Sequence, residues 1–240
     1  MEKLLDVKEV AKYLGYTQRT IYNMIDRNDI PFVKIGKEYR FKESDIENLV
    51  QAKKVKKCGL DKVKEIEDPF KKRLYFMGVL TKELKKQGVE PVIVGGQAVE
   101  FYTAGGYATY DIDIAAPSEP VGAVLSKWHF QKEGRHWVSV ELDISIEAPA
   151  FGLESKQLER LTELLIDDLK VFIIGVEDIV LDRLNAYVHW NSKDDLSWAK
   201  EIIVNNKKSF DWDYLKKEAD DKVIKKIRNL EKEICTCEKD

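Results

Sequence analysis

The segment Val92-Ile-Val-Gly-Gly-Gln-Ala-Val-Glu-Phe-Tyr102 is the most informative stretch for the fold of the larger part of this chain. Its first three residues predict a short buried strand, which leads into Gly95 and Gly96, and Gln97 opens a predicted helix. Most glycine pairs only turn a chain. Between a strand and a helix, however, two glycines let the backbone approach an anion, and the helix N-terminus offers unpaired N–H groups. We therefore expect Gly95, Gly96 and Gln97 to bind phosphate.

Two acidic segments with a period of two follow this turn. Asp111-Ile-Asp113-Ile predicts a strand with both carboxylates on one face and the isoleucines in the core. Glu141-Leu-Asp143-Ile-Ser-Ile repeats the alternation, so a neighbouring strand would bring Asp143 to the same face. Three crowded carboxylates repel one another unless a cation neutralises them, and oxygen ligands suit Mg²⁺. We expect Asp111, Asp113 and Asp143 to bind two Mg²⁺ ions, which activate an attacking oxygen and stabilise a leaving pyrophosphate.

This order of glycine pair, Asp-x-Asp strand and later aspartate resembles the nucleotidyltransferase superfamily. It is most similar to the minimal bacterial branch of abortive-infection and toxin–antitoxin proteins, in which the turn reads Gly-Gly-x-Ala and the strand Asp-Ile-Asp. The resemblance covers residues 88–205 and implies an NTP substrate. It also implies that Arg183 contacts the triphosphate and that Asp195 fills an acidic position, the alternative being an ordinary helix ion pair between them.

The sequence departs from that superfamily in two ways. Fourteen residues separate Gly96 from Asp111, slightly more than usual, and we expect Thr103-Ala-Gly-Gly-Tyr-Ala to absorb the excess as a flexible loop. The turn also lacks the serine and the following arginine of the polymerase-like branch. Polymerase and drug-resistance activities are therefore less favoured.

A different pattern occupies the N-terminus. Val7, Val10, Ala11 and Leu14 form the apolar face of a helix that Gly15 ends. Thr17 caps a second helix that extends to about Asp26, with Ile21, Met24 and Ile25 facing inward. The alternation around Gly36-Lys37 predicts a β-hairpin, and Ser44 is expected to cap a helix beginning at Asp45.

These elements resemble the winged helix-turn-helix domains of the MerR and excisionase type over residues 4–50. The resemblance implies binding to double-stranded DNA, with the second helix in a major groove and the hairpin as a wing against phosphates. Such shapes also serve as protein-interaction modules. Because one small domain makes few phosphate contacts, we expect a homodimer. The candidate DNA-binding residues are Gln18, Arg19, Tyr22, Asn23 and Arg27 on the helix and Lys34, Lys37 and Arg40 on the wing.

The predicted fold class is α+β, with a winged helix-turn-helix domain at residues 1–57 and a linker at 58–69. A nucleotidyltransferase-like domain follows at 70–210, with a mixed sheet flanked by helices. Phe70 to Gln87 predicts its first helix, ended by Gly88. Residues 211–240 are expected to form a C-terminal helix, from about Asp213 to Ile234, and a tail.

Composition and charge agree with two different kinds of domain. Residues 1–57 carry 13 lysines and arginines against 9 acidic residues, a charge of +4, whereas the whole chain carries −3. The positive charge of residues 1–57 favours binding to a polyanion. Apolar runs are too short for a membrane span, no cationic signal region is seen at Met1, and three cysteines make no disulfide framework. These features predict a cytoplasmic protein.

Three functional hypotheses follow. The first is a DNA-binding enzyme that transfers NMP from NTP to a hydroxyl of a tRNA, a protein or a small molecule, in a bacterial defence or toxin–antitoxin setting. The second is a transcriptional regulator whose second domain binds nucleotide, or dimerises, without turnover. The third is an antitoxin-like enzyme that modifies a toxin encoded beside it.

Overall fold

A computed structural model of the chain describes residues 3–27, 29–36, 38–52, 59–148 and 152–236. It divides into two compact units, residues 1–58 and 59–240. The predicted fold class is confirmed: an N-terminal helix-turn-helix unit precedes a larger unit with a mixed sheet and flanking helices. Within the described residues, no helix is both long enough and apolar enough to cross a bilayer.

The N-terminal unit has a small core beneath a three-stranded sheet in the order β1-β3-β2, as far as the chain is described. Asp6 and Glu9 form a capping box at the start of α1, Gly15 ends it in the left-handed conformation, and Thr17 caps α2. The predicted hairpin is confirmed, with Val33 paired to Arg40. The elements are β1 (Leu4–Leu5), α1 (Val7–Leu14), α2 (Gln18–Asp26), β2 (Val33–Ile35), β3 (Glu38–Lys42) and α3 (Glu43–Ala52).

One helix of this unit begins earlier than predicted. We expected Ser44 to cap a helix from Asp45, but α3 begins at Glu43, directly after β3. Ile46 is fully buried in the core of the unit. The first turn is therefore fixed by the end of the strand.

The second unit is built on a seven-stranded mixed sheet, as far as the chain is described, in the order β6-β7-β8-β5-β4-β10-β9. The pairs β4–β10 and β5–β8 are parallel and the others antiparallel. Its strands are β4 (Val92–Val94), β5 (Asp111–Ala115), β6 (Gln131–Glu133), β7 (His136–Ser139), β8 (Ile144–Glu147), β9 (Thr162–Ile166) and β10 (Leu169–Ile173).

Helices complete the second unit, and two 3-10 turns lie at Lys85–Gln87 and Lys207–Ser209. The predicted helix from Phe70 is confirmed as α5, which begins at Pro69 with Asp68 as its cap, and the 3-10 turn carries it to Gly88. The helices are α4 (Leu60–Glu65), α5 (Pro69–Leu84), α6 (Gly95–Tyr102), α7 (Ser118–Lys127), α8 (Ser155–Leu158), α9 (Val176–Trp190), α10 (Lys193–Asn205), α11 (Trp212–Glu218) and α12 (Asp221–Thr236).

Two segments differ from the expected domain outline. Helix α4 lies within the segment predicted as a linker, and its Val63 is fully buried in the core of the second unit. The expected C-terminal helix is divided into α11 and α12 around Ala219. Leu215 and Ile227, one on each helix, are fully buried in that same core, so both helices cover it.

Candidate functional site

The glycine pair lies in the first turn of α6, directly after β4, and not ahead of the helix as predicted. Gly95 has φ +57°, which side-chain-bearing residues rarely adopt. A Cβ added there would also lie 2.9 Å from both Cβ and Cγ of Asp113, and nearer still to its Oδ2. Position 95 thus requires glycine for two independent reasons, and one of them is contact with an acid of the Asp-x-Asp strand.

The second glycine joins the helix N-terminus to that same acid. The Gly96 N–H donates a hydrogen bond of 3.3 Å to Oδ2 of Asp113. A helix N-terminus carries a partial positive charge, so it stabilises a nearby anion. One backbone N–H group of the predicted phosphate-binding turn therefore already donates to an aspartate of β5.

Strand β5 carries Asp111 and Asp113 on one face, called here the carboxylate face, while Ile112 and Ile114 are fully buried on the other. In the parallel pairing with β8, Asp113 lies opposite Glu147. Burial raises the pKa of the Asp113 carboxyl; the Gly96 hydrogen bond opposes that shift, and the charges of Glu147 and Asp111 add to it. A cation bound here would therefore reduce the repulsion among the three carboxylates.

Glu147 is the acidic residue that reasoning from the sequence missed. The signal was present, because the alternation of Asp143, Ser145 and Glu147 with Ile144 and Ile146 continues one residue beyond the predicted segment, which ended at Ile146. The Glu147 carboxylate also forms an ion pair with Arg135, whose Nε lies 3.2 Å from Oε2 of Glu147. Glu147 thus combines a place beside Asp113 with a cationic partner of its own.

Asp143 does not lie on a strand. It precedes β8, in the turn that connects β7 to β8, with φ +54° and its N–H donating to the carbonyl of Val140. The predicted strand of Glu141 to Ile146 is corrected accordingly, since only Ile144 onward pairs with β5 and β7. The physical reason is the hairpin turn, which interrupts the alternation before it reaches Asp143.

Gln97 requires a second correction. Its side chain is fully buried, where its Oε1 accepts from Arg73 Nε at 2.5 Å and its Nε2 donates to Glu100 at 3.2 Å. Arg73 also forms a buried salt bridge of 2.7 Å with Glu100. The side chain of Gln97 therefore joins α5 to α6 and does not face a nucleotide.

The positive charge of Arg183, on α9, opposes the rise in the pKa of Asp113. Its Nη1 donates to Asp195 Oδ1 at 2.9 Å, and the guanidinium also contacts Asp182. The ion pair with Asp195 that we considered as an alternative is thus present. It joins α9 to α10 with both side chains about one-fifth exposed.

The loop between the glycines and β5 is held in place. The Tyr107 N–H donates to Thr103 Oγ1 at 3.1 Å, and the Tyr107 ring packs edge-on against Trp198 of α10 with centroids 5.0 Å apart. A Cβ added at Gly96 would lie 3.3 Å from Cε1 of Tyr107 and 3.1 Å from Oγ1 of Thr109. The segment that we expected to be flexible therefore covers the second glycine.

The donor set fits Mg²⁺ in part. Asp111 and Asp113 offer only oxygen atoms from one strand face, and Asp113 is half-buried beside like charges. Across the described residues, however, no group of three or more His, Cys, Asp or Glu side chains is arranged to hold a metal ion. Two acids fit the ion, and phosphate oxygens of a substrate would be needed to complete its coordination.

In the N-terminal unit, the outward face of α2 carries polar side chains. Gln18, Arg19, Tyr22 and Asn23 are exposed, and Arg27 follows at the end of the helix. The inward face is apolar, since Ile21 is fully buried. The five predicted helix residues are thus free to meet a ligand.

Two of the three predicted wing cations, Lys34 and Arg40, lie within the described residues. Lys34 is exposed, with its Nζ 5.6 Å from the centre of the Tyr39 ring. Arg40 is half-buried, pairs with Glu38 and donates to the carbonyl of Tyr39 at 3.3 Å. Lys37 lies outside the described residues. Lys34 is therefore the wing cation most open to a phosphate among those described.

Comparison with solved structures finds similar folds. An antigenic nucleotidyltransferase-like protein from Paracoccidioides brasiliensis is 14% identical with a TM-score of 0.50, and the match covers 75% of this chain and 92% of that one. The solution structure of the antibiotic-resistance factor ANT(2'')-Ia is 11% identical with a TM-score of 0.38, covering 66% and 90%. Its crystal structure with adenylyl-2''-tobramycin is 14% identical with a TM-score of 0.40, covering 62% and 93%. At 14% identity, the likeness to the Paracoccidioides brasiliensis protein concerns the fold alone.

Comparison with family models is more specific. Residues 4–54 match the model described as "Helix-turn-helix domain". Residues 72–234, more than half of the chain, match the model described as "Nucleotidyltransferase of unknown function (DUF6036)". A comparison with curated proteins gives no match. The chain therefore belongs to the DUF6036 family of nucleotidyltransferases of unknown function, and it carries a helix-turn-helix domain at its N-terminus.

Proposed function

We propose that this protein is a DNA-binding, Mg²⁺-dependent nucleotidyltransferase that moves an NMP group from an NTP to an acceptor hydroxyl. The observation that carries the proposal is the contact between Gly95, Gly96 and Asp113, which joins the helix N-terminus to the acids of β5. Transfer of an NMP group requires that the phosphate site and the metal site lie in contact.

The reaction forms one bond and breaks one. The acceptor oxygen attacks the α-phosphorus, the bond from that phosphorus to the bridging oxygen breaks, and pyrophosphate leaves while the hydroxyl proton passes to solvent or a nearby base. Asp111 and Asp113 would hold Mg²⁺, which when bound neutralises charge on the triphosphate and on the leaving pyrophosphate. Gly95 and Gly96 would donate backbone N–H groups to phosphate oxygens, and the Gly96 N–H would exchange its 3.3 Å hydrogen bond to Asp113 for one to phosphate.

Arg183 would supply the remaining positive charge. Because its guanidinium is shared between Asp182 and Asp195, a triphosphate must compete with these carboxylates for it. Arginine can bind phosphate oxygens through two parallel hydrogen bonds, which favours the exchange.

Turnover is tested with each α-labelled NTP, Mg²⁺ and a cell extract. We compare wild type, Asp111→Asn/Asp113→Asn and the control Asp61→Asn, which removes an exposed carboxylate on α4. We expect the double variant to lose transfer by a factor on the order of 10³ or more and the control to keep it. If wild type binds NTP but releases no pyrophosphate and labels no acceptor, the regulator without turnover replaces the enzyme.

The N-terminal unit would bind double-stranded DNA in the manner of MerR and excisionase domains. Gln18, Arg19 and Asn23 would reach base edges, and Lys34 would contact a phosphate. The exposed polar face of α2 supports this assignment. A homodimer would double the phosphate contacts, and the resemblance to abortive-infection proteins supports a defence or toxin–antitoxin setting.

DNA binding is tested by selecting fragments from a random library and measuring affinity against salt. We expect Arg19→Ala to weaken binding and relax its sequence preference, and Lys34→Ala to weaken all sequences alike while lowering the salt slope by about one. Lys82→Ala, an exposed change on α5, serves as the control. Absent or salt-insensitive binding would favour a protein-interaction module.

A further inference from the structure

A cavity of about 730 Å³ lies in the second unit, beside the carboxylate face. Its walls are the start of α5, the end of α6 with the loop that follows, and the β7–β8 hairpin. This volume is within the range of small-molecule binding sites. Asp111, Asp113, Gly95, Gly96 and Arg183 are outside its lining. The cavity is therefore a neighbour of the proposed NTP and metal site and distinct from it.

Two lining residues connect the cavity to that site. Ser145 lies opposite Asp111 in the pairing of β5 with β8. Thr109 donates a hydrogen bond of 3.4 Å to the carbonyl of Asp111, and its Oγ1 lies beside Gly96. A molecule in the cavity can therefore present a hydroxyl next to Asp111, where the proposed reaction needs its attacking oxygen.

The charges on the walls select the class of molecule. Among the described residues of the lining, the cations are Lys72 and Arg73, and the buried salt bridge to Glu100 neutralises Arg73. Asp68 and Asp143 add two carboxylates. Protein contacts to nucleic acid are mainly contacts of cations with phosphates. A cavity with one free cation and two further acids in its described lining disfavours an RNA end and favours a neutral or cationic compound.

Asp143 is the acid best placed to bind such a compound. It is exposed, it lines the cavity, and its carboxylate has no hydrogen-bond or ion-pair partner among the described residues. The left-handed backbone at Asp143 is one that aspartate and asparagine tolerate better than most residues. Its carboxylate can therefore accept from the hydroxyl or ammonium groups of a ligand.

We propose that this cavity is the acceptor site and that the acceptor is a small, neutral or cationic hydroxyl compound bound in part by Asp143. This inference rests on the proposed nucleotidyltransferase function and names its substrate class. The attacking hydroxyl belongs to this compound, and the products are its NMP ester and pyrophosphate.

The class of acceptor is tested by offering the protein, with α-labelled NTP and Mg²⁺, three separate fractions of a cell extract: low-molecular-mass compounds, RNA and protein. Label should enter the low-molecular-mass fraction, in products that bind an anion exchanger less tightly than the NTP. Label in RNA or protein alone overturns this inference and leaves the proposed function standing. If no fraction is labelled and no pyrophosphate appears, the proposed function fails as well.

The location is tested with Val138→Trp, which places a large ring in the cavity from β7, opposite Ser145. The matched control is Val204→Trp, on an exposed position of α10 outside the lining. We expect Val138→Trp to lower transfer at least about tenfold with Mg²⁺–NTP affinity retained. Retained transfer, or loss of Mg²⁺–NTP binding in a folded variant, would assign the cavity to something other than the acceptor.

The role of Asp143 is tested with Asp143→Asn, since asparagine tolerates the same backbone conformation. We expect the KM for the labelled low-molecular-mass acceptor to rise about tenfold, with the KM for NTP unchanged. A purely structural role would change both alike or neither, and either result would remove Asp143 from the acceptor site.

Discussion

Two segments of this protein have the same acidic alternation and different structures. Asp111 to Ile114 lies within β5, which is hydrogen-bonded to β4 on one side and β8 on the other. In the segment from Glu141 to Ile146, the Leu142 N–H donates to Ser139 Oγ at 3.3 Å, and the strand begins only at Ile144. Alternation of residue types thus shows which residues can share a face of a strand. Where the strand begins depends on hydrogen bonds to the neighbouring strands.

The two segments also place their carboxylates in opposite environments. Asp113 is half-buried and in contact with the first turn of α6, and its pKa is raised mainly by burial. Asp143 is exposed and lines a cavity. Similar sequences therefore produce two kinds of carboxylate. A cation would stabilise Asp113, whereas Asp143 can bind an uncharged or cationic ligand.

The largest effect that tests this comparison is expected from Gly95→Ala. The added Cβ would displace Asp113, and transfer should fall by a factor on the order of 100. Gly134→Ala is the matched control, because Gly134 also has positive φ, at +60°, but has nothing within 4 Å of an added Cβ. Gly134→Ala should lose about 1 kcal/mol of folding stability through its positive φ alone, and Gly95→Ala should lose more because its Cβ also overlaps Asp113. Only Gly95→Ala should lose activity. Equal activities would mean that the contact of Gly95 with Asp113 is not needed.

A smaller effect distinguishes Glu147 from Asp143 as the third acid. Glu147 lies beside Asp113, so Glu147→Gln should weaken Mn²⁺ binding by about threefold to tenfold in titration calorimetry with a non-hydrolysable NTP analogue. Asp143→Asn should leave that affinity unchanged. The reverse outcome would restore Asp143 as a metal ligand and remove the difference between the two segments.

The smallest effect concerns stability. Because burial raises the pKa of Asp113 above its unfolded value, its ionisation costs more in the folded chain, and stability falls as pH rises through that interval. Without metal at neutral pH, Asp113→Asn should therefore raise the Tm, and the gain should vanish in acid.

Differential scanning calorimetry with Asp143→Asn as the comparison checks this prediction. Asp143 is exposed, so the corresponding change should leave the Tm nearly unaltered. Adding Mg²⁺ should raise the Tm of wild type more than that of Asp113→Asn. A loss of stability on Asp113→Asn at neutral pH would show that the Gly96 hydrogen bond outweighs the cost of burial.

Much of the fold was predictable because local signals agreed. The helix-turn-helix follows from Gly15, the Thr17 cap and the apolar positions of α1 and α2, and the structure places all of them as expected. Strand β4, the glycine pair and strand β5 were predicted in the same way. The linker was misread because α4 is short and polar, with Val63 as its buried residue.

The site was less predictable, because its distances connect residues far apart in the chain. Local patterns were enough to predict that Gly95 and Gly96 lie where a strand leads into a helix and that Asp111 and Asp113 share one face of a strand, since period and glycine content are local properties. The tertiary structure places Asp143 outside the strand face and Glu147 beside Asp113, which the local pattern does not specify. It also decided that Arg73 draws the side chain of Gln97 into the core. Strand register and the pairing of buried charges depend on neighbours that local patterns do not specify.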